Sequence, residues 1–319
     1  MKSNAFPIVL IIALAQCNTD KPISIDVESV PANVEIFAEG IVSTRLYERD
    51  MAISPDGNEM VFTLGDYKQS KRCLVRLVRS DGKWGEKEIL SFSGKYQDIE
   101  PAFSVDGNRL FFASNRPMDA DSTRSDYNIW VSEKADGTWS EPQPLTTNIN
   151  SLQDEFYPSV SRNGNLYFTS VREIGVGSED IFVSKWVDGS YSNPEPLDSA
   201  INTGTYEFNA YVTPDEDLII FSSFGRKDDL GGGDLYYSRK DESGNWKPAL
   251  NMGAKINSAH LDYCPFIDLP RGNFYFTSQK FVAPDAKFQR VSDLDQYSNG
   301  VLNGMGNIFR VGLNEIGLD

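Results

Sequence analysis

The stretch "INSLQDEFYPSVSRNGNLYFTSVR", Ile149 to Arg172, sets an Asn-Gly pair between two aromatic, β-branched runs. Such a pair between apolar runs is the strongest short-range signal for a β-hairpin. Glu155 opens the first run and Arg172 ends the second, equally far from the turn, so a tight hairpin would set them opposite each other. A single acid and base pair of this kind reads as a reactive site. A recurring one reads as architecture.

The stretch recurs. Related units are "ERDMAISPDGNEMVFT" from Glu48, "DIEPAFSVDGNRLFFASNR" from Asp98, "EFNAYVTPDEDLIIFSSFGR" from Glu207 and "DYCPFIDLPRGNFYFTSQK" from Asp262, with starts spaced 50, 57, 52 and 55 residues apart. Each continues into a third apolar run, a Gly-containing turn and a short fourth run, as in "NIWVSEKADGTWSEPQPL" and "DIFVSKWVDGSYSNPEPL". Four antiparallel strands in a repeat of roughly 50 residues make the blade of a β-propeller. Runs such as "LYFTS" are apolar on both faces, as a sheet sandwiched between neighbours requires. The last unit reaches a third strand at "NIFRV" and stops, while "VEIFAEG" from Val34 precedes the first unit as an unpaired strand. The expected fold is therefore all-β, a five-bladed propeller closed by pairing the N-terminal strand with the last blade, which removes a free sheet edge. Six blades is the alternative count.

Composition limits the partners. The 319 residues include 46 acidic and 30 basic side chains, a formal net charge of -16, which is the wrong sign for a nucleic-acid footprint. Three cysteines do not make a disulfide framework. Cys73 and Cys264 fall in strands and read as small buried hydrophobes. The N-terminus, "MKSNAFPIVLIIALAQC", has one lysine before an apolar run from Ala5 to Ala15. The run is too short to span a bilayer and suits a signal peptide over residues 1–16. Leu14-Ala15-Gln16-Cys17 resembles a bacterial lipobox, which makes Cys17 the lipidation site, although Gln16 stands where a small residue is usual. Residues 17–33 are then a polar tether, residues 34–319 the propeller, and the membrane is met through the lipid anchor.

The "SPDG" at Ser54 to Gly57, the "FFASNR" at Phe111 to Arg116 and the "YFTSVR" at Tyr167 to Arg172 resemble the WD40-like PD40 repeat of TolB-type propellers. With Ile149-Asn150-Ser151, Ile201-Asn202-Thr203, Ile256-Asn257-Ser258 and "GGGDLYYS", the chain is most similar to PD40 propellers of Bacteroidetes envelope lipoproteins. Many of those carry an OmpA-like peptidoglycan-binding domain, for which no segment is found here. The resemblance implies a cell-envelope location, as an outer-membrane lipoprotein facing the periplasm or the exterior, and a binding or scaffolding role. It does not fix a ligand.

Around the turns, Glu155 pairs with Arg172, Asp98 with Arg116, Glu207 with Arg226 and Asp262 with Lys280, whereas Glu48 has no basic partner, since Gly65 and Asp66 fall there. A catalytic centre does not need four copies, so the pairs read as structural, each contributing about 0.2–1 kcal/mol if exposed. The five acids, joined by Asp50 and Glu100 two positions further along, would ring a channel mouth on the loop-rich face. A carboxylate ring suits a hard cation, but the basic partners neutralise it, so neither metal nor cofactor is expected. A Ser-His-Asp triad has only His260 to draw on and no nucleophile elbow is present. Glycoside hydrolysis needs only carboxylates, so a carbohydrate-binding or glycoside-active protein remains the alternative to a non-enzymatic propeller with a protein partner. The repeat is broken between Phe281 and Gly306, where a long insertion with Phe288, Tyr297, Leu302 and Met305 is expected to form a flap over that mouth.

Overall fold

The computed structural model describes residues 24–118, 124–284 and 287–318; the signal peptide and Cys17 lie outside them. Five antiparallel sheets are arranged as a five-bladed propeller, each with three long strands and a short outer one. The innermost strands are Tyr47–Ile53, Asp98–Phe103, Glu155–Val160, Tyr206–Val212 and Asp262–Asp268, and they neighbour one another round the ring, the last meeting the first. Five blades, not six, account for the described residues.

The turn chemistry carries the hairpins. In the first blade Gly57 takes φ +73°, which glycine adopts freely, while Ser54 Oγ and the Asn58 amide both donate to Asp56. The second blade repeats this with Ser104, Asp106 and Gly107. Outer strands are two residues long and two of them carry proline, Pro144 and Pro196, which blunts the exposed edges.

Closure occurs as the sequence suggests. Glu35–Ile36 pairs antiparallel with Asn307–Gly312, in register Glu35 to Arg310 and Ile36 to Phe309. Phe37 is buried edge-on against Tyr275, a burial that stabilises by roughly 2 kcal/mol. The segment before it, expected to be a loose polar tether, is packed where it is described. Ile25 and Val27 are buried, Trp84 Nε1 donates to the Ile25 carbonyl at 3.0 Å, and Arg310 Nη1 to that of Asp26 at 2.6 Å. Two apolar side chains in a polar stretch are enough to dock it between the first and last blades.

Each innermost strand carries a β-bulge, and the bulges alter the expected facing pairs. Glu155 lies opposite Ser170, Asp98 opposite Ser114, Glu207 opposite Ser223 and Asp262 opposite Ser278; Glu48 lies opposite Leu64. The extra residue shifts each register by one and the hairpin turns account for the rest, so the arginines and the lysine fall two or three positions past the acids' true partners.

Candidate functional site

The five repeated acids are not at an open mouth. Glu48, Asp98, Glu155, Glu207 and Asp262 are all 0% exposed. Glu155 accepts from the Ser151 amide at 3.0 Å and from its hydroxyl at 2.5 Å, and Thr44, Thr203 and Ser258 serve Glu48, Glu207 and Asp262 likewise. The backbone amides of Glu155, Glu207, Asp262 and Glu48 donate to carbonyls of the preceding blade, those of Tyr127, Glu179, Gly233 and Gly306. The asparagine of each Ile-Asn-Ser/Thr motif completes the joint. Asn150 accepts from the Ile129 amide and donates to its carbonyl, and Asn202 and Asn257 do the same at Ile181 and Leu235. The recurring motif thus stitches one blade to the next.

The basic partners complete the stitch in three blades. Arg116 reaches Asp98 at 2.6 Å, Arg172 reaches Glu155 at 2.9 Å and Arg226 reaches Glu207 at 2.9 Å, with Ser114, Ser170 and Ser223 donating to the same carboxylates. Each guanidinium also lies over aromatic rings, Arg172 over Phe168 and Phe182, Arg226 over Phe221 and Tyr236, and Arg116 over four. Lys280 forms no such bridge: its ammonium sits over Phe309 at 5.7 Å, and Asp262 keeps its serine partners, Ser258 and Ser278, and the lysine's longer-range field. Glu48 is held by Thr44 and Asn307 instead of by a cation. Burial pushes the carboxyls of Glu48, Glu155 and Asp262 above the ordinary range, against the pull of these hydrogen bonds.

Two residues further along each strand, the bulge aims a different side chain at the axis. Asp50, Glu100, Tyr157, Asn209 and Cys264 all have φ between 50° and 61°, a left-handed conformation costly for non-glycine residues. Arg49 bridges the two acids, Nε to Asp50 at 2.8 Å and Nη2 to Glu100 at 2.8 Å. Glu100 also accepts from the Tyr157 amide at 2.7 Å and from Asn209 Nδ2 at 3.2 Å, so one carboxylate ties four blades together. Burial raises the Glu100 carboxyl to about 7, with Arg49 opposing and Asp50 adding to the rise. Burial likewise holds the Cys264 thiol well up and unreactive. Arg49 lies over the Tyr263 ring, and Tyr263 bonds Tyr47 at 3.1 Å, which plugs the loop side of the channel. Sequence reasoning picked out Asp50 and Glu100 but missed Arg49, Tyr157, Asn209 and Cys264. The signal of the last three is the column of the aligned innermost strands where all five residues differ, and Arg49 stands one position before it.

Beyond the plug the channel opens the other way. A cavity of about 460 Å³ runs from Glu100 and Tyr157 to the hairpin turns that carry Pro55, Val105, Arg162, Pro214 and Pro270. Met51, Ile53, Phe103, Val160 and Ile267 line it. The accessible channel end is therefore on the hairpin-turn face, opposite the face expected to hold the mouth.

On the loop face, the insertion after Lys280 is ordered where described, with the helix Val291–Ser298 and a ring contact between Phe288 and Tyr297. That helix buries none of its residues, and Phe288 and Tyr297 line a groove shared with Glu39. The return limb is what approaches the axis: Met305 packs on the Tyr47 and Tyr263 cluster. Phe281 lies tilted against His260, ring centroids 4.7 Å apart, and stays exposed. It ends an arc of exposed apolar side chains over three blades, with Val176, Tyr206, Phe224 and Leu230. Tyr206 meets Phe224 at 6.2 Å, and the loops that carry the others abut, Gly177 against Thr205 and Gly231 against Ala259 beside His260.

No family model matches the chain, and no curated protein does. Solved structures do resemble it. A putative TolB from Agrobacterium tumefaciens is 17% identical over 76% of this chain and 72% of its own, with TM-score 0.46. TolB from Acinetobacter baumannii is 13% identical over 86% of this chain and 55% of its own, with TM-score 0.47. A GH43 endo-arabinanase from Bacillus licheniformis is 13% identical over 83% of this chain and 93% of its own, with TM-score 0.50. The likeness is one of fold. At these identities the likeness carries no function, which rests on the chain's own residues.

Proposed function

We propose that the chain is a non-enzymatic binding propeller of the bacterial cell envelope, docking a protein partner on its loop face. The observation that carries this reading is the arc of exposed apolar side chains from Val176 through Tyr206 and Phe224 to Phe281, on a face whose five repeated carboxylates are buried in joints. Exposed apolar side chains gathered on one face suit an interaction site. With a net charge of -16, the partner is expected to be apolar at its centre and basic at its rim. A glycosidase needs two carboxyl groups free to meet the sugar, whereas Asp50 and Glu100 share Arg49 and Asp268 is bound by Arg271.

Lipidation at Cys17 fits the same picture. The packed segment from Ile25 to Pro31 runs along the hairpin-turn face, where Asn273 Nδ2 donates to the Val27 and Ser29 carbonyls. Six residues separate Cys17 from Ser24, no more than about 25 Å of extended chain, so this face would lie toward the bilayer and the arc away from it. Among the described residues no helix is long and apolar enough to cross a membrane.

The test is a photo-crosslinker at position 206 in intact cells, with a second at position 186 on the outer rim. A discrete adduct from 206 that Phe224→Asp abolishes without lowering the melting temperature is expected. Equal adducts from both positions, or an adduct that survives Phe224→Asp, would defeat the proposal.

A further inference from the structure

The central cavity is unusual in having few groups to offer a polar ligand. Glu100 is engaged by Arg49, Asn209 and the Tyr157 amide. The Tyr157 hydroxyl donates to the Pro265 carbonyl at 2.9 Å and that of Tyr211 to the Ile267 carbonyl at 3.0 Å. Near the mouth, Arg162 pairs with Asp215 and Arg271 with Asp268. Ser104 donates to Asp106, and Ser159 accepts from the Val212 amide. The inner edges of the strands, which normally present backbone amides to the channel, carry Pro101, Pro158 and Pro265, each without a donor. A sugar or peptide backbone buried here would lose its water bonds and find little to replace them, a loss that outweighs the area it covers.

What remains is an apolar tube, closed by the buried plug at one end and open among the hairpin turns at the other. At roughly 30 Å³ for a group the size of water, its volume of about 460 Å³ accommodates on the order of fifteen such groups. The mouth lies on the face along which the N-terminal segment runs, and Ile25 and Val27 share a core cluster with Met51 and Ile53 of the wall. We propose that the cavity binds the unbranched aliphatic tail of a single-chain amphiphile, tail inward and head at the turns. This site is separate from the loop-face arc and does not depend on it.

The test is calorimetric titration of the full chain with straight-chain fatty acids from butanoate to dodecanoate, and with decanol to separate tail from head. Affinity is expected to rise roughly fourfold per methylene, the value of burying one such group, and decanol is expected to bind as decanoate does. Arabino-oligosaccharide and an acetylated apolar hexapeptide serve as polar-backbone probes and are expected not to compete with dodecanoate. Ala102→Trp, which fills the tube, is expected to weaken dodecanoate at least tenfold with the melting transition retained. The chain-length series decides the matter should that variant fail to fold. An affinity independent of chain length, displacement of dodecanoate by the sugar or the peptide, or unchanged binding to folded Ala102→Trp would overturn the proposal.

Discussion

Two rings of side chains lie two residues apart on the same five strands and differ in kind. In the outer of these rings, Glu48, Asp98, Glu155, Glu207 and Asp262 are all acids, all fully buried and bound to Ser or Thr partners. In the bulge ring, Asp50, Glu100, Tyr157, Asn209 and Cys264 share a backbone conformation and little else. Repetition marks what every blade needs, a joint to its neighbour. Divergence marks what the molecule needs once, a plug and the floor of a single cavity. Chemistry that looks reactive in one repeat is best judged by whether the others copy it.

The sharpest way to break the comparison is to open the ring itself. Deleting residues 33–40 removes the strand Glu35–Ile36 and the buried Phe37, exposing the edge of the last blade. Loss of a cooperative melting transition, or aggregation, is expected; an unaltered transition would mean that the joints alone hold the ring.

The bulge ring is expected to show itself in pH dependence. The Glu100 carboxyl titrates near 7 in the folded chain against an ordinary value of 4.5, so the folded state binds the extra proton between those values. Its contribution to stability is full below about pH 4.5, is lost as pH rises towards 7, and amounts to a few kcal/mol. Glu100→Gln, which mimics the protonated group, should flatten this part of the profile when urea unfolding is compared at pH 5 and pH 8. A variant slope equal to that of the wild type would show that Glu100 is ionised throughout.

The hairpins, the blade count and the ring closure were legible because they depend on local turn chemistry and on period, which "SPDG" and "RNGN" state openly. The bulges were not. A left-handed Asp or Asn is unremarkable, but nothing in Tyr157 or Cys264 announces positive φ, and one residue of the shifted register followed from that omission. Simple counting from the turn placed Arg172 opposite Glu155, whereas Ser170 stands there and the arginine folds back across two positions. Lys280 occupies the corresponding position without making the bridge. The packed segment at Ile25 was hidden by its polar surroundings, and the cavity's opening by the plug that only the folded ring assembles.

The central claim is that the acid and base pairs are joints between blades, complete in three of them and relaxed in the fifth. Urea unfolding of Arg172→Ala beside Lys280→Ala tests it in one experiment. Removing Arg172 strands the buried Glu155 carboxylate and should cost about 3 kcal/mol. Removing Lys280, which makes no ion pair among the described residues, should cost under about 1 kcal/mol. Equal losses, or an Arg172→Ala protein as stable as the parent, would contradict the account and return Glu155 and Arg172 to candidacy as a reactive pair.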